Sequence, residues 1–263
     1  MVPGGRAVSA PVAVISGGAG GLGRAFSAAL RAEGWKVVLL DRDISGVEDA
    51  PDQQAITCDL TDPAQMDDAC ARVIAENPRI DLVIYNAGVT QIGAFEDLTD
   101  AAHRRLFEIN YFAAISMARH FLDPLRQSRG THLAISSVAG FSPLYHRTAY
   151  AASKHALEGF FSSLRSEEAR HGVRVQIAAP SFVATNIGRA ERQEDGIARP
   201  GSATDGVDYM TPEEAAKVIL RGMKRGAPMI PAGRVARLSW WINRLSPRLF
   251  QRLMERNIST SDG

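Results

Sequence analysis

The sequence predicts an α/β fold: one domain built on a doubly wound parallel sheet with helices on both faces, three layers in all, followed by an amphipathic helical tail. Three observations carry this. Short apolar runs alternate with longer amphipathic segments, the rhythm of βαβ units. The first apolar run feeds a Gly-rich turn and then a helical pattern. The length, 263 residues at 45% hydrophobic and 22% charged, suits one large globular domain that buries its core without staples.

The elements follow in order. Val12–Ser16 reads as a buried strand. Arg24–Glu33 reads as a helix with Phe26, Ala29 and Leu30 on its apolar face and Gly34 as its stop. Lys36–Leu40 is a second strand ending at Asp41, Ala55–Cys58 a short third, and Pro63–Glu76 a helix. Leu82–Tyr85 is a fourth strand ending in Asn86-Ala87-Gly88. One long helix is expected over Asp100–Leu122, a fifth strand over Thr131–Ser136, a helix over Tyr150–Arg170 and a sixth strand over Arg174–Ala178. Asn186–Met210 breaks the rhythm with four glycines and eight charged residues and is expected to form a lid. Thr211-Pro212-Glu213-Glu214 opens another helix: an N-cap, Pro in the first turn and Glu three residues after the cap. The expected organisation is a flexible leader over 1–10, a catalytic domain over 11–232 and a tail over 233–263.

Composition excludes several function classes. Thirty basic against 29 acidic residues give a net charge of +1, unlike a nucleic-acid binder. The two cysteines, Cys58 and Cys70, make neither a disulfide framework nor a metal cage. The histidines lack metal-ligand spacing, so no catalytic metal is expected. No signal-like segment and no apolar run of about 18 residues is present, and a cytoplasmic location is expected.

Ser16-Gly17-Gly18-Ala19-Gly20-Gly21-Leu22-Gly23 joins strand to helix. Glycines let the backbone turn tightly and approach a pyrophosphate, and the following helix offers free N–H groups and a positive dipole end. The bland reading is a flexible turn; its place between strand and helix favours a dinucleotide site. Asp41, ending the second strand, can accept from both ribose hydroxyls and favours NAD over NADP. Arg42 could instead take a 2′-phosphate, or be a solvated charge.

Tyr150 and Lys154 are four apart on one helix face. A tyrosine base at neutral pH needs its pKa lowered from about 10 by roughly three units, and a nearby ammonium with a first-turn position favours the phenolate. Ser137, at the end of the fifth strand, lies where ligands bind in open α/β sheets.

With these residues together, the chain resembles the short-chain dehydrogenase/reductase (SDR) family, whose fold is of Rossmann type. The family's Thr-Gly-x-x-x-Gly-x-Gly motif matches Ser16, Gly17, Gly21 and Gly23, with Ser for Thr, and Leu22 lies within it. Asp59-Leu60 match the pair that contacts adenine. Asn86, Ala87 and Gly88 match Asn-Asn-Ala-Gly, with Tyr85 replacing its first Asn. Asn110 matches the catalytic Asn, and Ser137, Tyr150 and Lys154 match the Ser–Tyr–Lys set. Pro180-Ser181 replaces Pro-Gly, followed by Val183 and Thr185 where the family contacts the nicotinamide carboxamide. The resemblance spans residues 10 to 231. It implies hydride transfer between nicotinamide C4 and an alcohol or carbonyl carbon: Tyr150 is acid/base, Ser137 orients the substrate oxygen, Lys154 tunes Tyr150 and binds ribose, and Asn110 holds a relay water. Dimers or tetramers through the two helices expected over Asp100–Leu122 and Tyr150–Arg170 are usual in the family.

The substrate pocket is expected to draw on Thr90, Gln91, Phe141, Leu144, Tyr145, His146, Phe182 and the lid. Apolar and aromatic members dominate, which suggests a lipophilic alcohol or ketone; no Arg or Lys is expected fixed inside to hold an anion, with Arg147 and Arg189 nearby but facing solvent. The alternatives are an NADP-preferring ketone reductase, or a dinucleotide sensor or membrane-surface protein without turnover. In the tail, Arg234–Ile258 carries six arginines and one Glu, leaving the rest of the chain at −4. Leu238, Trp241, Ile242, Leu245, Leu249 and Leu253 form an apolar stripe, and Pro247 divides the segment into two helices. Such a stripe either packs over the pocket or a partner subunit, or lies on an anionic membrane.

Overall fold

The computed structural model describes residues 10–185, 197–198 and 209–259. The expected leader, apart from Ala10, and most of the expected lid lie outside the described residues.

In chain order the elements are β1 (Val12–Ser16), α1 (Gly21–Arg31), β2 (Lys36–Asp41), β3 (Gln53–Thr57), α2 (Pro63–Glu76), β4 (Leu82–Tyr85) and the two-residue β5 (Thr90–Gln91). After α3 (Asp100–Phe107) comes a π-helical turn, Glu108–Phe112, then α4 (Ala113–His120), α5 (Leu122–Ser128), β6 (Thr131–Ile135), α6 (Thr148–Glu168) and β7 (Arg174–Pro180). The rest are β8 (Ile197–Ala198), α7 (Pro212–Lys224), β9 (Met229–Ala232), α8 (Arg234–Leu245) and α9 (Pro247–Ser259).

Seven strands form a parallel sheet in the order β3-β2-β1-β4-β6-β7-β9. Both faces are covered, so β1, β4 and β6 are wholly buried, and β1 and β4 read as near-continuous apolar runs. Side chains alternate across the sheet. Val12 and Val14 join Phe121 and Phe161 in the core beside α4 and α6. Ala13 and Ile15 join Phe26 and Ile219 beside α1 and α7. The chain winds outward from β1 in both directions, through β2 on one side and β4 on the other. Crevices for ligands open at the carboxyl ends of strands beside such a switch point.

Sequence and structure differ in three places that shape the site. The single helix expected over Asp100–Leu122 is broken by the π-helical turn, centred on Asn110. A seventh strand, β9, adds to β7; only Ile230 and Ala232 of its four residues are buried, and Pro231 suits an edge position. Ile197–Ala198, inside the expected lid, pairs antiparallel with Thr90–Gln91. Ile197 is buried against Ala102, Leu106 and Ala149, with Tyr150 packed beside them.

The tail forms two helices that meet before Pro247. Ala236 and Phe250 are buried, and the Asn243 side-chain amide donates to the Phe141 carbonyl. The tail thereby braces the loop that carries Ser137.

Candidate active site

The glycine turn is held from behind by the end of β4. The Ser16 hydroxyl accepts from the N–H groups of Asn86 (3.0 Å) and Ala87 (3.2 Å). The Asn86 amide donates to the carbonyls of Ser16 (3.1 Å) and Gly17 (2.9 Å). Gly17 has φ +62°, and a Cβ there would sit 2.8 Å from Ala87 Cα, so backbone angle and neighbour both demand glycine. Helix α1 then starts with Gly20 as its cap, with no side-chain capping bond and no acidic residue in the first turn. Its first N–H groups are presented to the cleft, a ready seat for an anion.

This cleft, about 1940 Å³, runs along the carboxyl ends of the strands. Gly17, Gly21 and Leu22 line it at the turn; Asp41, Arg42, Asp59 and Leu60 line one end. Asn86, Ala87 and Gly88, then Pro180, Val183 and Thr185, line its middle. Ser16 and Gly23 do not line it. Both act behind the turn, Ser16 through the bonds above and Gly23 by closest packing against Gly17 and Gly18. Asp41 Oδ2 accepts from the Ala19 N–H at 3.0 Å, which ties the turn to β2. Asp59 accepts from the backbone N–H (2.9 Å) and hydroxyl (2.7 Å) of Thr61.

Ser137, Tyr150 and Lys154 line the same cleft, with Leu144 and Phe182 on its wall. Tyr150 falls in the first turn of α6, and Lys154 one turn on. The Lys154 ammonium is buried, donates to the Ile135 carbonyl at 2.9 Å and lies 5.9 Å from the centre of the Tyr150 ring. Asn110 is buried but does not line the cleft. Its Oδ1 accepts from Val89 N (2.8 Å), while Nδ2 donates to Val89 O (2.9 Å) and Ser153 Oγ (3.0 Å). Ser153 Oγ in turn donates to the Tyr150 carbonyl at 2.8 Å. A chain of hydrogen bonds thus runs from the loop between β4 and β5, through the π-helical turn, to the backbone of the tyrosine.

The pocket needs two corrections. Phe141 does not line the cleft; its carbonyl holds Asn243 instead. A fixed cation is present where none was expected. Arg147 is buried in the wall and donates to the Thr90 hydroxyl (3.2 Å) and the Gln91 carbonyl (3.4 Å). The preceding residue, His146, takes φ +54° and stacks on Tyr145 at 3.7 Å. That left-handed residue turns the chain so that Arg147 faces inward, a conformation sequence periodicity does not signal. Tyr145 and His146 line the cleft at its exposed margin, Thr90 lines it, and Gln91 is buried outside it. Residues from the tail, among them Val235, Ile242 and Phe250, also line it.

The family model described as short chain dehydrogenase matches residues 11–196. The chain is a short-chain dehydrogenase/reductase. Among its relatives, dehydrogenase/reductase SDR family member 7B of Bos taurus is 31% identical over 259 residues, covering 92% of this chain and 80% of that protein. The 15-hydroxyprostaglandin dehydrogenase [NAD(+)] of Rattus norvegicus is 31% identical over 219 residues, covering 77% and 79%. A solved short-chain dehydrogenase from Streptomyces avermitilis superposes with TM-score 0.79 at 27% identity, covering 97% of this chain and all of that one.

The electrostatics of this short-chain dehydrogenase/reductase depend on burial. Desolvation raises the Tyr150 hydroxyl above 10.0, opposed by a hydrogen bond with Ser137 and by the charge of Arg147. The charge of Arg147 thus favours the phenolate, in addition to the Lys154 ammonium that the sequence pointed to. Burial brings Lys154 down to about 8, with Glu158 opposing. Glu158, one turn beyond Lys154, is pushed up by burial to about 7, opposed by a hydrogen bond from Ser136 and the charges of Lys154 and Arg244. Its carboxylate accepts from the Ser136 hydroxyl at 2.6 Å, next to Ser137.

Glu158 makes a pH prediction with a definite sign. Its folded-state pKa lies above its unfolded value, so between about pH 4.5 and 7 the folded state binds more protons and stability falls as pH rises. His132, lowered by burial to about 4, gives the opposite slope between about 4 and 6.5. Lys154 contributes no slope below about 8. Replacing Glu158 by Gln removes only the first of these. The variant gains stability relative to wild type as pH rises from about 5 to about 7, read as urea midpoints at each pH; parallel curves would show that Glu158 does not titrate in this window.

Proposed function

We propose that the chain is an NAD-dependent oxidoreductase acting between the CH–OH and C=O states of a lipophilic alcohol or ketone. The observation that carries this reading is that Ser137, Tyr150 and Lys154 line the same cleft as the start of α1, where no side chain caps the helix. The residues fit a dinucleotide. The Gly17 backbone crowds Ala87 so closely that a side chain is excluded, the first N–H groups of α1 suit a pyrophosphate, and Asp41 retains lone pairs for ribose hydroxyls. Gly17, Gly21, Leu22, Asp41, Asp59, Leu60, Asn86, Ala87, Gly88, Pro180, Val183 and Thr185 hold the dinucleotide. The bound nicotinamide supplies or receives the hydride.

The chain's own groups manage the proton and the substrate oxygen. With its pKa raised, Tyr150 keeps its hydroxyl proton at neutral pH and delivers it to a carbonyl oxygen during reduction. In the oxidative direction it takes that proton back, at a cost that Arg147 and Ser137 reduce. Ser137 bonds the same oxygen and fixes its position. Lys154, poised at about 8, exchanges protons near neutrality and holds the nicotinamide ribose. Asn110 is a positioning residue: both of its amide protons are spent on Val89 and Ser153, so a relay water would have to meet main-chain groups of the π-helical turn. Leu144, Tyr145, His146 and Phe182 border the substrate. A small-molecule substrate, a cytoplasmic location and a homo-oligomer through α4 and α6 complete the reading.

NAD is favoured over NADP because Asp41 ends β2 and the charge of Arg42 acts on Asp59, whose carboxyl is held low chiefly by its bonds with Thr61. The rat relative's name, which includes NAD(+), supports the same choice. Asp41→Ala is expected to lower the kcat/KM ratio of NAD over NADP by about tenfold, the equivalent of roughly 1.4 kcal/mol. A ratio unchanged or increased would reverse the assignment in favour of an NADP-preferring reductase. The reading as a whole is tested by following nicotinamide absorbance against a panel of lipophilic ketones and alcohols. Turnover of at least one supports it; tight dinucleotide binding with no turnover across the panel favours a sensor.

A further inference from the structure

The described residues contain nine large apolar side chains that are exposed, and five of them, Leu238, Trp241, Leu245, Leu249 and Leu253, fall within sixteen consecutive residues of α8 and α9. Their exposures run from 40% to 78%. They share one outward face with arginines, in four Arg-Leu pairs at 237–238, 244–245, 248–249 and 252–253. Arg234, Arg237, Arg244, Arg248 and Arg252 are all exposed, and the segment's single acidic residue is Glu255. The remaining chain is net negative, so the protein's net positive charge comes from this segment. Helices of 12 and 13 residues are too short to cross a bilayer, and no described helix is long and apolar enough to do so.

Leucines and a tryptophan flanked by arginines suit the boundary of an anionic bilayer. The apolar groups enter the acyl region, and the long Arg stems let their heads reach phosphate. The adjoining face of the same helices is already committed to the cleft, through Val235, Ser239 and Ile242 of α8 and Phe250 and Met254 of α9. Leu238 and Leu253 belong to both: they are exposed and they line the cleft. The lipophilic patch and the substrate end of the cleft are therefore continuous.

We propose that the outer face of α8–α9 docks on an anionic lipid surface and that the lipophilic substrate enters the cleft past Leu238 and Leu253 from that surface. Docking stands independently of turnover; the substrate route rests on the function proposed above. The face is an interfacial one, so binding falls with salt, in contrast to insertion of a spanning helix.

The test uses the full chain with extruded vesicles of phosphatidylcholine alone or with about 30% phosphatidylglycerol, scored by co-sedimentation. Wild type is expected to bind the anionic vesicles at least about tenfold more tightly than the neutral ones, with binding lost at high salt. Arg248→Glu/Arg252→Glu and, separately, Leu245→Ser/Leu249→Ser are expected to lose that binding. These four side chains do not line the cleft, so turnover of a water-soluble ketone stays at the wild-type rate while turnover of a ketone dissolved in anionic vesicles falls. Retained soluble turnover also reports correct folding. Tyr150→Phe is expected to bind vesicles as wild type does, which separates docking from catalysis. Equal binding to both vesicle types, or undiminished binding by the leucine variant, overturns the proposal. So does a dimer in size exclusion that the leucine variant converts to monomer without any vesicle binding by wild type, since a second copy would then cover the face.

Discussion

Tyr150→Phe lowers kcat by about 10²–10⁴-fold, the usual worth of a positioned general acid/base, and leaves the dinucleotide Kd within about twofold. The ring stays in place because its surroundings are apolar: Tyr150 packs with the cluster of Ala102, Leu106, Ala149 and Ile197. Its backbone remains pinned through Ser153 and Asn110. Lys154 keeps its bond to the Ile135 carbonyl, which does not involve the phenol. What disappears is one hydroxyl, and with it the proton donor and the partner of Ser137. Steady-state kinetics and a fluorescence titration on the same preparation read the two quantities. A variant that retains kcat within about threefold would remove Tyr150 from the reaction.

Gly23→Ala weakens dinucleotide binding by about 10- to 100-fold. A Cβ at this position would lie 2.3 Å from the Gly17 carbonyl oxygen and 2.7 Å from Gly18 Cα. Both are backbone atoms of the turn, so no side chain can swing aside and the turn itself must move. Overpacking of this kind costs about 1–3 kcal/mol, and here the displaced atoms are those that shape the anion seat. Gly159→Ala is the control. It lies in α6 with open space around its Cα, and Ala there is expected to raise stability by roughly 0.5–1 kcal/mol without altering binding. Loss of nucleotide affinity in Gly159→Ala, or its retention in Gly23→Ala, would contradict this account of the turn.

The sheet was legible wherever its cause was local. Val12–Ser16 and Leu82–Tyr85 are buried on both faces, so composition alone marks them as strands. Helix α2 has the bounds read from sequence because Asp62 caps it by accepting from Ala64 and Gln65, ahead of Pro63. The capping box of Thr211 and Glu214 was equally plain. Features with tertiary causes were not legible. The π-helical turn exists where Asn110 bonds Val89 and Ser153, 21 and 43 residues away in sequence. Strand β9 is short, Pro-containing and paired along one side, leaving little periodicity to read.

The site divided the same way. Motif spacing and family resemblance located the glycines, Asp41, Ser137, Tyr150 and Lys154, since each is tied to a strand end or helix turn. Arg147 was read as near the pocket but facing solvent, and Glu158 was missed. Both carry charges usually found in solvent, and both are turned inward by particular contacts: Arg147 by Thr90 and Gln91, Glu158 by Ser136. A buried charge of this kind leaves no mark in hydropathy. The available signal was positional, since Glu158 stands at four-residue spacing from Lys154, as Lys154 does from Tyr150, on one face of α6.

The central claim is that this chain transfers hydride rather than merely sensing a nucleotide. Reduced nicotinamide dinucleotide deuterated at C4, on each face separately, is incubated with the enzyme and a panel of lipophilic ketones, and the alcohols are examined by mass spectrometry. The account predicts deuterium on the carbinol carbon from one C4 face only, appearing at least about 100-fold more slowly with Tyr150→Phe. Dinucleotide binding with no deuterium in any product would contradict it.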